Sequence, residues 1–191
     1  MSLPELARAA GHITAFLERK GRASCVIGGV AVSRWGAPRA TEDVDLAVLA
    51  DFGEELVVLR ELLSEYPSRI NEPEAFAGAN RIALLLLPGN IKADVSLAAF
   101  PFEQEAIERS SVWQLPEDLR IRTCSAEDLV IYKLVAGRPG DIQDIIGIVQ
   151  RQGGRLDLAR IRQWGARFVE LKEDPDLLRP FEEAVKKARL R

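Results

Sequence analysis

Asp43 and Asp45 stand one residue apart in the run DVDLAVLA, residues 43–50. The apolar residues around them read as a strand, and strand alternation puts both carboxylates on one face. Two carboxylates side by side repel unless a cation lies between them. A third, Asp94, sits in IKADVSLA, residues 91–98, among Ile91, Val95 and Leu97. An ionised Asp there is costly to bury unless it is paired or bound to a metal. Upstream, Gly28 and Gly29 lie between the strand-like SCVI and the helix-like VAVSRWG. With no Cβ in the way, backbone N–H groups at such a helix start approach a phosphate closely, and the helix N-terminus favours negative charge. Mg²⁺ takes oxygen ligands, commonly one or two carboxylates plus substrate phosphates. Two such ions about 3.5–4 Å apart clamp the attacking and leaving oxygens of an in-line displacement. The reading is that Asp43 and Asp45 hold Mg²⁺ or Mn²⁺, and that a substrate phosphate lies against the glycines. Asp94 then binds the ion that activates an acceptor hydroxyl, or acts as its general base.

Several side chains stand near this constellation in sequence. Ser33 and Arg34 either touch phosphate or line the polar face of a short helix. Arg39 and Thr41, in the loop APRAT, either order that loop or contact phosphate. Lys133 lies between Tyr132 and Leu134 on a helix, where a lone Lys is ordinarily a solvated residue. Asp141 and Asp144 bracket the start of the next helix and also suit an N-cap and a first-turn acid. His12 reads as a surface residue, and Trp35, Trp113 and Trp164 as core or interface rather than base-stacking platforms.

The elements that must position these residues follow from periodicity. Leu6, Ala9, Ala10, Ile13, Phe16 and Leu17 trace one face of a first helix, which Gly21 can stop. GEELVVLRELLSEY is a helix with Leu56, Val57, Leu59 and Leu63 turned inward. RIALLLL and IKADVSLA are strands joined by PGN, a tight-hairpin composition. A short helix around EQEAIERS precedes two more strands, VWQL and LRIRTC. From Ser125 the pattern is helical. Ser125 and Asp128 form a capping box, Ile142, Ile145, Ile146 and Val149 form a stripe, and Ile161, Trp164, Phe168 and Leu171 form another. Pro180 can open a last helix. The fold expected is α/β, or α+β: a small mixed sheet with helices packed on it over 1–120, then a helical bundle over 121–191. The glycine turn and three carboxylates would open onto a cleft between the two.

Composition bounds the alternatives. With 47% hydrophobic and 29% charged residues, this is an ordinary soluble globular composition. No apolar run approaches the ~20 residues that cross a bilayer, so no membrane partner is expected. Cys25 and Cys124 lack metal-type spacing, and a reduced cytoplasm is the expected location. The net charge of −3 is uneven. Residues 151–191 carry 11 Lys and Arg against 7 Asp and Glu, a balance of +4. That asymmetry suits either a nucleic-acid-binding segment or a helical pair with solvated charged faces.

GG, then DVD, then a lone Asp in a later strand resembles the DNA polymerase beta-like nucleotidyltransferase superfamily. GGVAVSRWGAPRATEDVDLAV with SAEDLVIYKLVAGRPGDIQDI is similar to its AbiEii/AbiGii-type toxin branch. The branch pattern falls on Arg39, Thr41, Asp43, Asp45, then Lys133, Arg138, Asp141 and Asp144, with Arg-Pro-Gly where a longer basic stretch is usual. The resemblance spans about residues 24–150. It implies Mg²⁺-dependent transfer of a nucleotidyl group from a triphosphate such as ATP to a hydroxyl. Catalysis is then by Asp43, Asp45, Asp94 and Lys133. Nucleotide contacts fall to Gly28, Gly29, Ser33, Arg39, Thr41, Lys133 and Asp144. It further implies an RNA acceptor such as the 3′ end of a transfer RNA, and a cognate antitoxin protein. Two other functions compete: a small-molecule nucleotidyltransferase of the antibiotic-modifying kind, and a non-catalytic nucleotide- or RNA-binding module. The intact set of three Asp residues counts against the last.

Overall fold

The alternating runs become six strands among the residues described by the computed structural model, which are 1–190. They are β1 (Ser24–Val26), β2 (Asp43–Leu49), β3 (Ile82–Leu87), β4 (Ile91–Ala98), β5 (Ser111–Gln114) and β6 (Arg120–Thr123). They form one sheet in the order β3-β4-β2-β1-β6-β5. The pairs β2–β4 and β1–β6 are parallel, and the other three are antiparallel, giving the mixed sheet expected. In the β3–β4 turn, Gly89 and Asn90 both take positive φ (81° and 58°), a conformation those two residue types tolerate best.

Period two decides which face is core. Ile91, Ala93, Val95 and Leu97 of β4 are buried, as are Val44, Leu46 and Val48 of β2. They join one hydrophobic cluster with α1 (Leu3–Arg19), which contributes the expected stripe from Leu6 to Leu17, and with α3 (Glu55–Leu63). Truncating a fully buried member such as Leu46 to Ala costs about 2–5 kcal/mol. The opposite face carries Asp43, Asp45, Lys92, Asp94 and Ser96.

In α3 the inward face differs from expectation. Val58, Leu59 and Leu62 are fully buried, Leu63 is partly buried, and Leu56 and Val57 are exposed. Four consecutive apolar residues leave the rotation open. Ion pairs from Arg22 to Glu54 and Glu61 fix it. A further helix, α4 (Pro73–Asn80), lies in a stretch without clear periodicity, and α5 (Pro101–Glu108) packs near β2.

The chain sorts into two compact units. One comprises Met1–Val30 and Ala40–Cys124 and contains the sheet. The other comprises Ala31–Arg39 and the chain from Ser125 onward. It contains α6 (Ala126–Ala136), α7 (Pro139–Gln152), α8 (Leu158–Lys172), α9 (Arg179–Lys187) and most of α2 (Gly28–Trp35). Ser125 caps α6, its Oγ accepting from the Asp128 N–H at 3.1 Å. The last carbonyls of α2 are taken by α7: Arg151 Nη1 donates to the Gly36 carbonyl at 2.6 Å and Gln152 Nε2 to the Trp35 carbonyl at 2.6 Å.

Two helical stripes also shift. In α7, Asp141, Asp144, Ile145, Ile148 and Val149 are buried while Ile142 and Ile146 are only partly so. Cations meeting the two Asp side chains make those polar positions inward ones. In α8 the buried face is Leu158, Ile161, Trp164 and Gly165, and Leu171 in the last turn is 77% exposed. A Cβ on Gly165 would lie 2.3 Å from Leu178 Cδ2, so the helix approaches the following segment through its backbone at that point.

Candidate active site

β2 and β4 run parallel with Asp43 opposite Lys92 and Asp45 opposite Asp94. Residues opposite each other share a face, so the three carboxylates and Lys92 lie together on the non-core side. The Asp residues are partly buried and Lys92 is exposed. The Ile27 N–H donates to the Asp45 carbonyl at 2.9 Å, which brings the start of α2 against β2. Gly28 there has φ +58°, and a Cβ on it would fall 1.8 Å from Asp45 Oδ2. A Cβ on Gly29 would fall 2.5 Å from Thr41 Oγ1. Both glycines are therefore required by the carboxylate-bearing strand and its lead-in, a reason additional to phosphate approach. The Gly29 N–H donates to Asp45 Oδ2 at 3.4 Å, and Thr41 Oγ1 to Asp43 Oδ1 at 3.0 Å.

Asp94 is held by Arg69, whose Nη2 contacts Asp94 Oδ1. Burial raises the Asp94 pKa above the ordinary carboxylate value, Arg69 partly offsets this, and repulsion from Asp43 adds to the rise. Among the described residues no three His, Cys, Asp or Glu side chains come close enough to form a metal-binding group. The donor chemistry still fits a hard cation shared between protein and phosphate. Asp43 and Asp45 offer oxygen alone from one face, and the glycine turn leaves the backbone bare beside Asp45.

A second ionic cluster lies within the helical unit. Lys133, 4% exposed, places Nζ 2.8 Å from Asp141 Oδ1 and 2.9 Å from Asp144 Oδ2. Arg39 grips Asp144 with two parallel bonds, Nε to Oδ1 at 2.7 Å and Nη2 to Oδ2 at 2.9 Å. Arg138 bonds Asp141 through Nε at 2.7 Å and through its own backbone N–H at 3.2 Å, closing a cap on α7. Burial alone would raise both carboxyl pKa values. Hydrogen bonds and charge from Arg138 and Lys133 at Asp141, and from Arg39 and Lys133 at Asp144, outweigh it and hold both below the ordinary value.

The expected residues thus fall into two groups. Gly28, Gly29, Thr41, Asp43, Asp45 and Asp94 belong to the sheet unit. Arg39, Lys133 and Asp144 meet in the helical unit with Asp141. Ser33 also belongs there, 7% exposed, its carbonyl accepting from Arg151 Nη1 at 3.2 Å. Lys133 is a buried counter-charge rather than the solvated residue that its isolation in sequence suggests. The arginines of α8, part of the +4 balance of residues 151–191, are largely committed. Arg160 pairs with the fully buried Asp128 at 2.8 Å, Arg162 pairs with Glu182 at 2.8 Å, and Arg167 stacks over Trp164 at 4.4 Å. Two cations escape the sequence reading. Arg69 carries no local signal, because its partner is 25 residues away. Lys92 was readable, since it stands two residues before Asp94 in a strand.

A family described as "Nucleotidyltransferase of unknown function (DUF6036)" matches residues 5–166. No curated protein matches the chain. Among solved structures, the chain is similar to an antigenic nucleotidyltransferase-like protein from Paracoccidioides brasiliensis, at 19% identity and TM-score 0.54 over 94% of this chain and 93% of that one. It is also similar to the antibiotic-resistance factor ANT(2″)-Ia, at 13% identity and TM-score 0.61 over 90% of this chain and 97% of that one. At these identities the likeness is one of fold.

Proposed function

The chain belongs to this nucleotidyltransferase family, and on that premise we propose that it transfers a nucleotidyl group from a nucleoside triphosphate to an acceptor hydroxyl through Asp43, Asp45 and Asp94. One observation carries the reading: Asp45 and Asp94 stand opposite each other on adjacent parallel strands, with Asp43 on the same face and the glycine turn against Asp45. Asp43 and Asp45, with Asp94 as a third oxygen ligand, would hold Mg²⁺ or Mn²⁺, which when bound neutralises triphosphate charge. The acceptor oxygen bonds to the α-phosphorus, the bond from that phosphorus to its bridging oxygen breaks, and pyrophosphate leaves with the electron pair. Asp94 takes the acceptor proton, a task its raised pKa favours. Backbone N–H groups after Gly28 meet phosphate. Within the helical unit, Asp144 and Lys133 hold Arg39 in place. The Arg39 side chain is 43% exposed and those of its two supports 3% and 5%.

The acceptor we propose is an RNA 3′ hydroxyl, a transfer RNA end first, in a toxin of the AbiEii type countered by an antitoxin protein. The +4 balance of residues 151–191 and the likeness of the two motif strings support this. A small-molecule acceptor is the second reading, because Arg160 and Arg162 are committed to Asp128 and Glu182. The test incubates the protein with each labelled triphosphate, Mg²⁺ and total RNA at rising salt. RNA label that fades with salt, and is lost in Asp43→Asn, Asp45→Asn and Asp94→Asn proteins that still fold, is the expected result. Label on a small molecule alone overturns the RNA assignment, and undiminished turnover in any Asn variant removes that residue from the chemistry.

A further inference from the structure

The carboxylate nominated as base already has a cation against it, and the backbone puts that cation there. The Arg69 N–H donates to the Leu84 carbonyl at 2.9 Å, and the Leu86 N–H donates to the Pro67 carbonyl at 2.9 Å. Ser68 Oγ donates to the Ile70 carbonyl at 3.0 Å and accepts from the Ile70 N–H at 3.1 Å. Residues 67–70 are therefore pinned along β3, whose Leu84 lies opposite Asp94. Pinning the backbone sets the guanidinium beside the third carboxylate without recourse to a freely searching side chain.

The way Arg69 holds Asp94 differs from the way Arg39 holds Asp144. Arg39 uses two parallel donors on two oxygens, the strong arrangement for a permanent pair. Arg69 touches Oδ1 through Nη2 alone, and its Nε–H is buried with no acceptor. A donor left idle beside a one-armed contact is a pair not optimised for permanence. Asp43, Asp45 and Asp94 also share one face, so some positive charge must offset them when no divalent ion is present.

We propose that Arg69 is a positioning residue that stands in for the divalent cation at Asp94. It holds Asp94 in place in the nucleotide-free protein, and it competes with metal for that carboxylate until a triphosphate enters. The proposal rests on the reading of Asp94 as part of the reaction site. It makes a counter-intuitive demand: removing Arg69 strengthens metal binding in the absence of nucleotide. A unit charge about 4 Å from a divalent ion changes the ion's affinity by about thirtyfold at the dielectric of water, and salt screening lowers this.

The experiment titrates Mn²⁺ into the full chain without nucleotide and follows the free-ion resonance signal, with circular dichroism to check folding. Arg69→Gln should bind Mn²⁺ at least about fivefold more tightly than the unaltered protein. Arg69→Lys, which keeps the charge, should return the affinity towards the starting value, and Arg69→Gln combined with Asp94→Asn should lose the gain. Equal or weaker binding by a folded Arg69→Gln protein overturns the proposal, as does a gain that survives Asp94→Asn. Should Arg69→Gln fail to fold, Arg69→Met, which keeps the aliphatic stem and removes the charge, takes its place, with tighter Mn²⁺ binding expected and equal or weaker binding overturning the proposal. No Mn²⁺ binding by any variant, with or without triphosphate, instead overturns the carboxylate reading beneath it.

Discussion

Replacing Lys133 by Met keeps most of the side-chain length and removes the charge between Asp141 and Asp144. These carboxylates are 2% and 4% exposed, and each loses a bond of 2.8–2.9 Å. Breaking a buried pair from one side costs about 3–5 kcal/mol, because a charge is left uncompensated. Asp144 keeps its two bonds from Arg39, and Asp141 keeps Arg138, so the low end, about 3 kcal/mol, applies. For a chain of this size each kcal/mol moves Tm by about 2–4 °C, which gives a drop of about 6–12 °C near neutral pH. The sign with pH follows from the lowered pKa values of both carboxyls. Their contribution is complete above the unfolded carboxylate value and is lost as pH falls through the folded values. Lys133→Met lessens that lowering, so its deficit is largest near pH 7 and narrows below about pH 4. Calorimetric melts from pH 3 to pH 8 measure it. A neutral-pH Tm within about 2 °C of the unaltered protein, or a deficit that does not change with pH, refutes the reasoning.

Gly28→Ala places a Cβ 1.8 Å from Asp45 Oδ2 at φ +58°, so Asp45 must move. The left-handed backbone alone costs about 1–2 kcal/mol. Nucleotidyl transfer should be abolished and the urea midpoint lowered, whereas full activity would remove the glycine from the site. Arg160→Ala leaves Asp128, fully buried, without its guanidinium and should lower stability by about 3 kcal/mol in urea melts. Arg167→Ala, on the exposed side of Trp164, should change stability by less than about 0.5 kcal/mol.

What could be read from the chain was what repeats at short range. Alternation places Asp43, Asp45 and Asp94 on strands, and a 3.6-residue period places Leu6 through Leu17 on the buried side of α1. Rotation of a helix was legible only where one stripe fits. LVVL in α3 allows several, and distant Arg22 selects among them. Pro67, Pro73 and the small residues Ala75, Ala77, Gly78 and Ala79 hide α4. In the site, the register of Asp45 with Asp94 comes from a parallel crossover that no local pattern encodes. The burial of Lys133 likewise depends on α7, and Arg39 meets Asp144 across 105 residues. Lys92 is the exception, because its place on the carboxylate face follows from strand alternation in KAD.

The assignment of residues 31–39 to the helical unit has a consequence for synthesis. This stretch is made before the rest of its unit, with Ala31 and Val32 destined for full burial, yet that rest begins only at Ser125. Translation of the intervening chain takes on the order of ten seconds. Through that interval an apolar turn of helix has no finished surface of its own unit to rest on. Vectorial folding, unit after unit from the N-terminus, is closed to this chain. A stop codon near residue 124 would release a complete set of strands still trailing the unmatched end of α2, and a gene fragment starting at Ser125 would lack the segment its helices are shaped to receive.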